Sequence, residues 1–286
     1  MFLLFIFLFN NIFDYVEWFM SASQNIGDLS SLSTLEVTQK DVCLFGITVH
    51  ALTSSQALDN IDSAIKNKQS LHIGMLNAAK IVNMKRNPML SEDVRSSNMI
   101  LADGSSVVIA SKILRKTLPE RVAGIDLMHG ILSRGNKEGY RVFCLGATPE
   151  ISAKTEAEIR KQYPGVVIAG TQHGYFSGSE EAAVAQQITD SDADVLFVAI
   201  TSPKKEQFMA RWNKTMRVPV VHGVGGSFDV LAGKVQRAPL SWQKYGMEWL
   251  YRVVQEPGRL WKRYLVTNTL FLGMLVKELF MPSKPL

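Results

Sequence analysis

The chain has 286 residues, of which 47% are hydrophobic, and its 31 basic and 26 acidic side chains leave a modest net charge of +5. This size suits one large α/β domain with an appendage, or two small domains. Its two cysteines, Cys43 and Cys144, lie in apolar, strand-like runs. They exclude a disulfide framework and favour a reducing cytoplasm.

The first twenty residues, MFLLFIFLFNNIFDYVEWFM, are strongly apolar but carry Asp14 and Glu17 and no basic residue. They also lack a small-residue cleavage site, which disfavours a signal peptide, and their apolar run is about half the ~20 residues of a spanning helix. Two interpretations remain: a segment that dips into a membrane, or an extension upstream of a working start at Met20. The polar stretch 21–40 is predicted to be unstructured, so residues 1–40 are assigned to an N-terminal extension.

From residue 42 onward, short β-branched runs alternate with amphipathic helical stretches. Near-continuous apolar strands between such helices are typical of a mostly parallel sheet with helices on both faces. The sequence therefore predicts an α/β domain over residues 41–238. Its strands are predicted at 43–49, 71–77, 98–103, 140–146, 166–170, 194–201 and 218–226.

Capping residues and prolines predict where the helices begin and end. The stretch SSQALDNIDSAIKNK is predicted to be a helix with a serine N-cap, and AAKIVNMKRNPML to be helical until Pro88 breaks it. A further helix, SSVVIASKILR, follows Asp103 and Gly104. Thr148 and Pro149 predict a capped helix with proline at its first position.

Polar residues at the carboxyl ends of the strands are candidate site residues, because ligands of parallel sheets bind there. Three glycines after the last strand could bring backbone N–H groups close to a diphosphate, although a tight turn explains them equally well. Their spacing matches neither the P-loop nor the dinucleotide fingerprint. The candidates at four strand ends are Asn77, Asp103, Lys204, Lys205, Glu206, Gly223, Gly225, Gly226 and Asp229.

Asp103 allows two compatible interpretations. It is predicted to cap the helix that follows it, contributing ~1 kcal/mol. A carboxylate beside a helix N-terminus is also kept ionised by the helix dipole, as a general base must be. The five histidines are scattered and form neither a zinc-binding spacing nor a nucleophile pair, so Asp103 is the candidate base.

The stretch DSDAD at 190–194 contains two D-x-D triplets, which are a possible metal signal. It precedes a predicted strand, however, and so lies at the amino end of the sheet, away from the expected ligand edge. We interpret it as a solvated helix-to-strand loop and predict no metal and no cofactor.

The C-terminal residues 239–286 have a different character. Basic residues alternate with aromatic residues up to residue 264, and residues 265–280 are an apolar stretch too short to span a bilayer. This pattern is typical of a helical segment lying in a membrane surface; a helix packed on its own domain is the alternative. Nucleic-acid binding is not predicted, because no known motif accompanies the basic groups. In one continuous helix, Arg252, Arg259 and Arg263 would share a face, although Pro257 is a candidate kink.

Several stretches together resemble the WecG/TagA/CpsF family of bacterial glycosyltransferases. They are LADGSSVV, LPERVAGIDL, YPGVVIAGTQHGYF, GVGGSFDVLAGKVQRAP and GMEWLYRVVQEPGRLWKRY, and the resemblance extends from about residue 43 to residue 264. It implies a Rossmann-like core of the GT-E type with a membrane-bound C-terminal appendage. The implied reaction is inverting and metal-independent, from a UDP-sugar donor to a sugar carried on polyprenyl diphosphate. The implied location is the cytoplasmic face of the bacterial inner membrane.

The resemblance also implies residue roles. Asp103 matches the catalytic base, and Asn77 matches the asparagine of a T-x-N strand end that lines the sugar pocket. Arg252, Arg259 and Arg263 match appendage arginines that meet the lipid diphosphate. Arg121 is expected to help stabilise the departing diphosphate.

Two departures bear on the donor sugar. Met75 stands where many members have the threonine of T-x-N, and Lys205 stands where many have the glutamine of P-K-Q-E. The chain is more similar to the glucosyltransferases of xanthan-type exopolysaccharide assembly, which implies UDP-glucose as donor. The alternatives are an N-acetylmannosamine-type transferase acting on lipid-linked N-acetylglucosamine, and a nucleotide-binding regulator at the membrane surface. The sequence does not fix the oligomeric state, and a homo-oligomer is compatible with it.

Overall fold

A six-stranded parallel sheet forms the centre of the fold. The computed structural model describes residues 41–283, which belong to one compact unit. The strands are β1 (Val42–Leu44), β2 (Ile47–Val49), β3 (Leu71–Leu76), β4 (Met99–Ala102), β5 (Arg141–Gly146), β6 (Val167–Gln172), β7 (Val195–Ala199) and β8 (Val220–His222). The sheet order is β4-β3-β8-β7-β5-β6, and every neighbouring pair is parallel. The predictions for residues 1–40 lie outside the described residues.

Helices follow the strands and cover both faces of this sheet. They are α1 (Ser54–Lys66), α2 (Ala78–Arg86), α3 (Pro88–Arg95), α4 (Ser105–Ile113), α5 (Gly124–Glu138), α6 (Pro149–Gln162), α7 (Glu181–Asp190), α8 (Lys204–Met216), α9 (Ser227–Leu231), α10 (Leu240–Lys244), α11 (Glu248–Gln255) and α12 (Pro257–Phe280). The predicted α/β class is therefore confirmed.

Alternating strand residues divide the core into two layers. Val142 and Cys144 of β5 pack with α1, α5, α6 and α9 on one face, while Phe143 and Leu145 pack with α7 and α8 on the other. Near the opposite edge of the sheet, α2, α3, α4 and α12 cover that second face. Burial on both faces explains why the strands are apolar throughout rather than alternating with polar residues.

Two local predictions were wrong, one for the run 43–49 and one for the N-cap of α1. The run 43–49 is not one strand but the antiparallel hairpin β1–β2, because Phe45 and Gly46 turn the chain with φ values of 54° and 75°. The prediction that the helix from Ala78 continues only as far as Pro88 is confirmed, since α2 ends at Arg86. Pro88 then begins a second helix, α3, which was not predicted. The N-cap of α1 is Thr53, which forms a capping box with Gln56, and not a serine. The predicted cap at Thr148 and Pro149 is confirmed.

Up to residue 283, the C-terminal segment forms three helices, of which α12 packs directly on α2. Pro257 begins α12, so Arg252 lies on α11 while Arg259 and Arg263 lie on α12. The continuous helix that would place these three residues on one face is therefore not formed. Within residues 41–283, no helix is long and apolar enough to cross a membrane.

Candidate active site

The candidate residues lie at the carboxyl edge of the sheet, where β4, β3, β8 and β7 are consecutive neighbours. Asn77 follows β3, Asp103 follows β4 and Gly223 follows β8. Lys205 lies in the first turn of α8, after β7. The fold thus brings together residues that are up to 146 positions apart in the sequence (223 minus 77).

The carboxylate of Asp103 is held from two sides. Its Oδ1 accepts a hydrogen bond of 2.9 Å from the backbone N–H of Gly124, and its Oδ2 accepts one of 3.3 Å from the Asn77 amide. Gly124 is the first residue of α5, so the carboxylate lies at the positive end of this helix. The predicted cap on α4 was wrong: Gly104 is its N-cap, and no side-chain hydrogen bond caps that helix.

Asn77 connects Asp103 to the adjacent helix. Its Oδ1 accepts a 3.0 Å hydrogen bond from the backbone N–H of Lys80 and so caps α2, while its amide nitrogen donates to Asp103. Both ends of the side chain are therefore used, which fixes its orientation.

The peptide group of Gly124 is held at both ends. His222, which is fully buried at the end of β8, donates through Nε2–H to the Gly124 carbonyl at 3.1 Å, while the Gly124 N–H binds Asp103. Burial lowers the pKa of His222 to about 4, so the ring is neutral at physiological pH. Sequence analysis missed His222 because no motif marks a histidine that acts on a backbone carbonyl.

Three charged side chains cluster beside the glycine-containing loop. Lys80 forms an ion pair with Glu206 and a 3.1 Å hydrogen bond to the Ser202 hydroxyl, and Lys205 Nζ lies 3.6 Å from Glu206 Oε1. Burial would raise the pKa of Glu206, but the two lysines outweigh it and hold that pKa below its usual value. Burial together with Lys205 lowers the pKa of Lys80, against the opposing effect of Glu206. The cluster carries one net positive charge.

The loop 223–226 is shaped partly by contacts within the sheet. The N–H groups of Val224 and Gly225 both donate to the carbonyl of Val198 in β7, at 3.0 and 3.3 Å. Gly225 has a φ of +55°, and the Lys205 side chain lies against Gly223. The Gly225 N–H is therefore already used by the protein, and Lys205 is the cation nearest to this loop.

The other predicted residues take up different positions. Lys204 turns away from the loop: its Nζ donates to the Phe176 carbonyl at 2.7 Å and lies 4.3 Å from the centroid of that ring. The carboxylate of Asp229, in α9, lies 3.4 Å from Lys234. Arg263 is exposed and lies beside the ring of Tyr264.

Arg121 lies against Asp103 but on its backbone side. Its Nε donates to the Asp103 carbonyl at 2.8 Å, and its Nη2 forms a 2.6 Å ion pair with Glu248 of α11. Glu248 was not predicted, because a carboxylate at a helix start is as often only a favourable charge for the helix dipole.

The acidic stretch 190–194 is confirmed as a helix-to-strand loop at the amino end of β7. Asp194 accepts hydrogen bonds of 3.0 Å from both Lys68 and the Arg141 backbone N–H. Within the described part of the chain, no group of three or more His, Cys, Asp or Glu side chains is arranged to hold a metal ion.

The chain also matches a known protein family. A model described as the glycosyl transferase WecG/TagA/CpsF family matches residues 42–285. The matched range extends from β1 through α12 and contains every candidate residue described above.

Proposed function

Because the chain belongs to the WecG/TagA/CpsF family of glycosyltransferases, we propose that it moves glucose from UDP-glucose to a sugar carried on polyprenyl diphosphate, with inversion, in exopolysaccharide assembly. The observation that supports this most is the arrangement around Asp103: an oriented carboxylate at a helix N-terminus, on the sheet edge where lysines cluster beside a glycine loop.

In the proposed reaction, Asp103 takes the proton of the acceptor hydroxyl as that oxygen attacks the anomeric carbon of the donor sugar. The bond from this carbon to the UDP oxygen breaks on the opposite face, which inverts the configuration. Gly124 and Asn77 orient the carboxylate, so little reorganisation accompanies proton transfer. The leaving group is UDP.

The leaving diphosphate is negatively charged, and we assign its stabilisation to side chains near the loop 223–226. Lys205 is the nearest cation, and Glu206, which also pairs with Lys80, lies 3.6 Å from its Nζ. Such preorganised charge contributes to catalysis because it needs no rearrangement as the leaving group departs. In this proposal the reaction proceeds without a bound metal ion.

The lipid carrier of the acceptor is consistent with the surface of α12. One stripe of this helix, including Phe271 and Leu275, is buried against the protein, and an adjacent apolar stripe is exposed. An exposed apolar helix face beside basic residues is typical of attachment to the membrane surface. We therefore place the enzyme at the cytoplasmic face of the bacterial inner membrane. The exposed apolar residues of this stripe are Trp261, Leu265, Leu272, Val276 and Leu279.

The first test is a transfer assay with radiolabelled UDP-glucose and a glucose-diphosphate-lipid acceptor in the presence of EDTA. We expect labelled lipid from the wild type, and turnover about 10²–10⁴-fold lower from Asp103→Asn, with donor binding retained. Equal labelling by both proteins would exclude Asp103 as the base. Labelled lipid from UDP-N-acetylmannosamine but not from UDP-glucose would show that N-acetylmannosamine is the sugar transferred. Donor binding without transfer of either sugar would favour a nucleotide-binding regulator.

A further inference from the structure

The C-terminal helices contact the candidate base through a chain of four charged side chains. Arg121 links the Asp103 carbonyl to Glu248, the first residue of α11. The other carboxylate oxygen of Glu248, Oε1, lies 4.0 Å from Nε of Arg237. Arg237 in turn forms two hydrogen bonds with Asp126, at 2.6 and 2.7 Å, in the first turn of α5.

Both ends of this chain reach the structure that holds Asp103. The segment 121–124 binds the end of β4 at three points: Arg121 at the Asp103 carbonyl, Val122 N–H at the Ala102 carbonyl, and Gly124 N–H at the Asp103 carboxylate. Asp126 belongs to the same helix as Gly124. Glu248 thus lies between two arginines: Arg121, the first residue of this segment, and Arg237, which binds Asp126 two residues after the end of the segment.

The turn before α11 is also in direct contact with the site. Gly246 has a φ of +70°, and a Cβ atom at this position would lie 3.0 Å from Cβ of Ser105, which begins α4 two residues after Asp103. The side chains of Arg121 and Glu248 are only 22% and 12% exposed, so their ion pair is shielded from water. A movement of α11 would therefore be transmitted through this shielded ion pair to the backbone at Asp103.

We propose that Glu248 is a positioning residue: it joins the C-terminal helices to Asp103 through Arg121 and so makes turnover depend on how those helices are seated. This inference rests on the proposed role of Asp103 as the base. Glu248 itself touches no reacting atom, since its contacts are with the two guanidinium groups.

The test compares Glu248→Gln, Arg121→Gln and the double variant in the transfer assay. Glutamine keeps the shape of Glu248 and removes its charge. We expect kcat for Glu248→Gln to fall roughly ten- to hundredfold, with donor KM and binding to anionic vesicles unchanged. Because Glu248 acts through Arg121, the double variant should lose no more activity than Arg121→Gln alone, and Glu248→Asp should recover part of the rate.

A matched control is Glu181→Gln, which also removes a carboxylate paired with an arginine, at 2.8 Å to Arg211, but on α7 away from the site. It should keep wild-type kcat even where its melting temperature falls. A wild-type kcat for Glu248→Gln would overturn the proposal, and so would an effect of this substitution on vesicle binding alone. A double variant whose loss of kcat equals the product of the two single losses would also overturn it. Full activity of Asp103→Asn would reject the proposal that Asp103 is the base. Full activity of Glu248→Gln, with Asp103→Asn inactive, would reject only the positioning role of Glu248.

Discussion

At the scale of single residues, the site depends on contacts to backbone groups as much as on charged side chains. The peptide of Gly124 is bound by Asp103 at its nitrogen and by His222 at its oxygen. A helix that begins at this peptide is therefore fixed in place relative to the ends of β4 and β8. The proposed base owes its position to this arrangement, which no single residue provides.

Gly223 offers a test of the role of Lys205. A Cβ atom at this position would lie 3.0 Å from Cδ and Cε of Lys205, so Gly223→Ala should displace the end of this long side chain while leaving the backbone in place. We expect the KM for UDP-sugar to rise roughly tenfold, as for the loss of one charge-assisted hydrogen bond. Steady-state kinetics at varied donor concentration measures this change.

Gly178→Ala is the matched control for this substitution, since a Cβ atom there would have no neighbour within 4 Å. It should leave the donor KM unchanged. An unchanged donor KM in Gly223→Ala, together with evidence of correct folding, would argue against a diphosphate role for Lys205.

The residues at the site show where sequence reasoning succeeds and where it stops. Asn77 and Asp103 were identified because polar residues at the ends of apolar strands are visible in the sequence. The partner of Asp103 was not identified, since the carboxylate binds the N–H of Gly124 twenty-one positions later, rather than the start of its own helix. A local pattern cannot show which of two nearby helix N-termini receives a side chain.

At the scale of elements, α12 combines two functions on adjacent stripes of one helix. Leu260, Phe271 and Leu275 are buried on one stripe of the helix. Leu265 and Leu272 are exposed and lie on the neighbouring stripe; Leu272, for example, directly follows Phe271. One residue corresponds to a rotation of about 100°. The same helix can therefore pack on α2 and present an apolar face to a membrane.

These two stripes predict opposite effects for two leucine substitutions. Leu275→Ala removes a side chain that is only 7% exposed, and it should lower the free energy of unfolding by about 2–3 kcal/mol. Leu272→Ala removes one that is 46% exposed; it should leave stability nearly unchanged and weaken vesicle binding roughly tenfold. Denaturant unfolding and vesicle sedimentation measure the two effects separately.

Each variant is the control for the other, because both change the same residue type within one turn of the same helix. Equal vesicle binding by Leu272→Ala and wild type would show that the exposed stripe does not meet the membrane. Equal stability of Leu275→Ala and wild type would contradict the packing of α12 on α2.

Sequence periodicity predicted most of the elements, since long amphipathic helices and apolar strands leave strong patterns. It failed where two short elements are joined by a turn. The run 43–49 has the composition of one strand, and only the left-handed conformation at Phe45 and Gly46 divides it. The helix before Pro88 ends as predicted, but Pro88 and Pro257 also begin new helices, which the sequence analysis did not predict.

At the scale of the whole molecule, two buried histidines link stability to pH. His72 in β3 and His222 in β8 are 2% and 0% exposed, and burial is the main reason that the pKa of each is lowered to about 4. In the unfolded chain both rings titrate near the usual pKa of about 6.5. Above that pH the rings are neutral in both states and impose no cost.

As the pH falls from about 6.5 to about 4, the unfolded chain takes up protons at these rings and the folded protein does not. Stability present at neutral pH is therefore lost across this window, by up to about 3 kcal/mol for each histidine. We expect the free energy of unfolding, measured in urea between pH 7.5 and 4.5, to fall less steeply in the double variant His72→Gln, His222→Gln than in the wild type. Carboxylates make both proteins sensitive to acid, and their contribution cancels when the two free energies of unfolding are subtracted. Parallel plots of unfolding free energy against pH would show that the pKa values of these histidines are not lowered by folding.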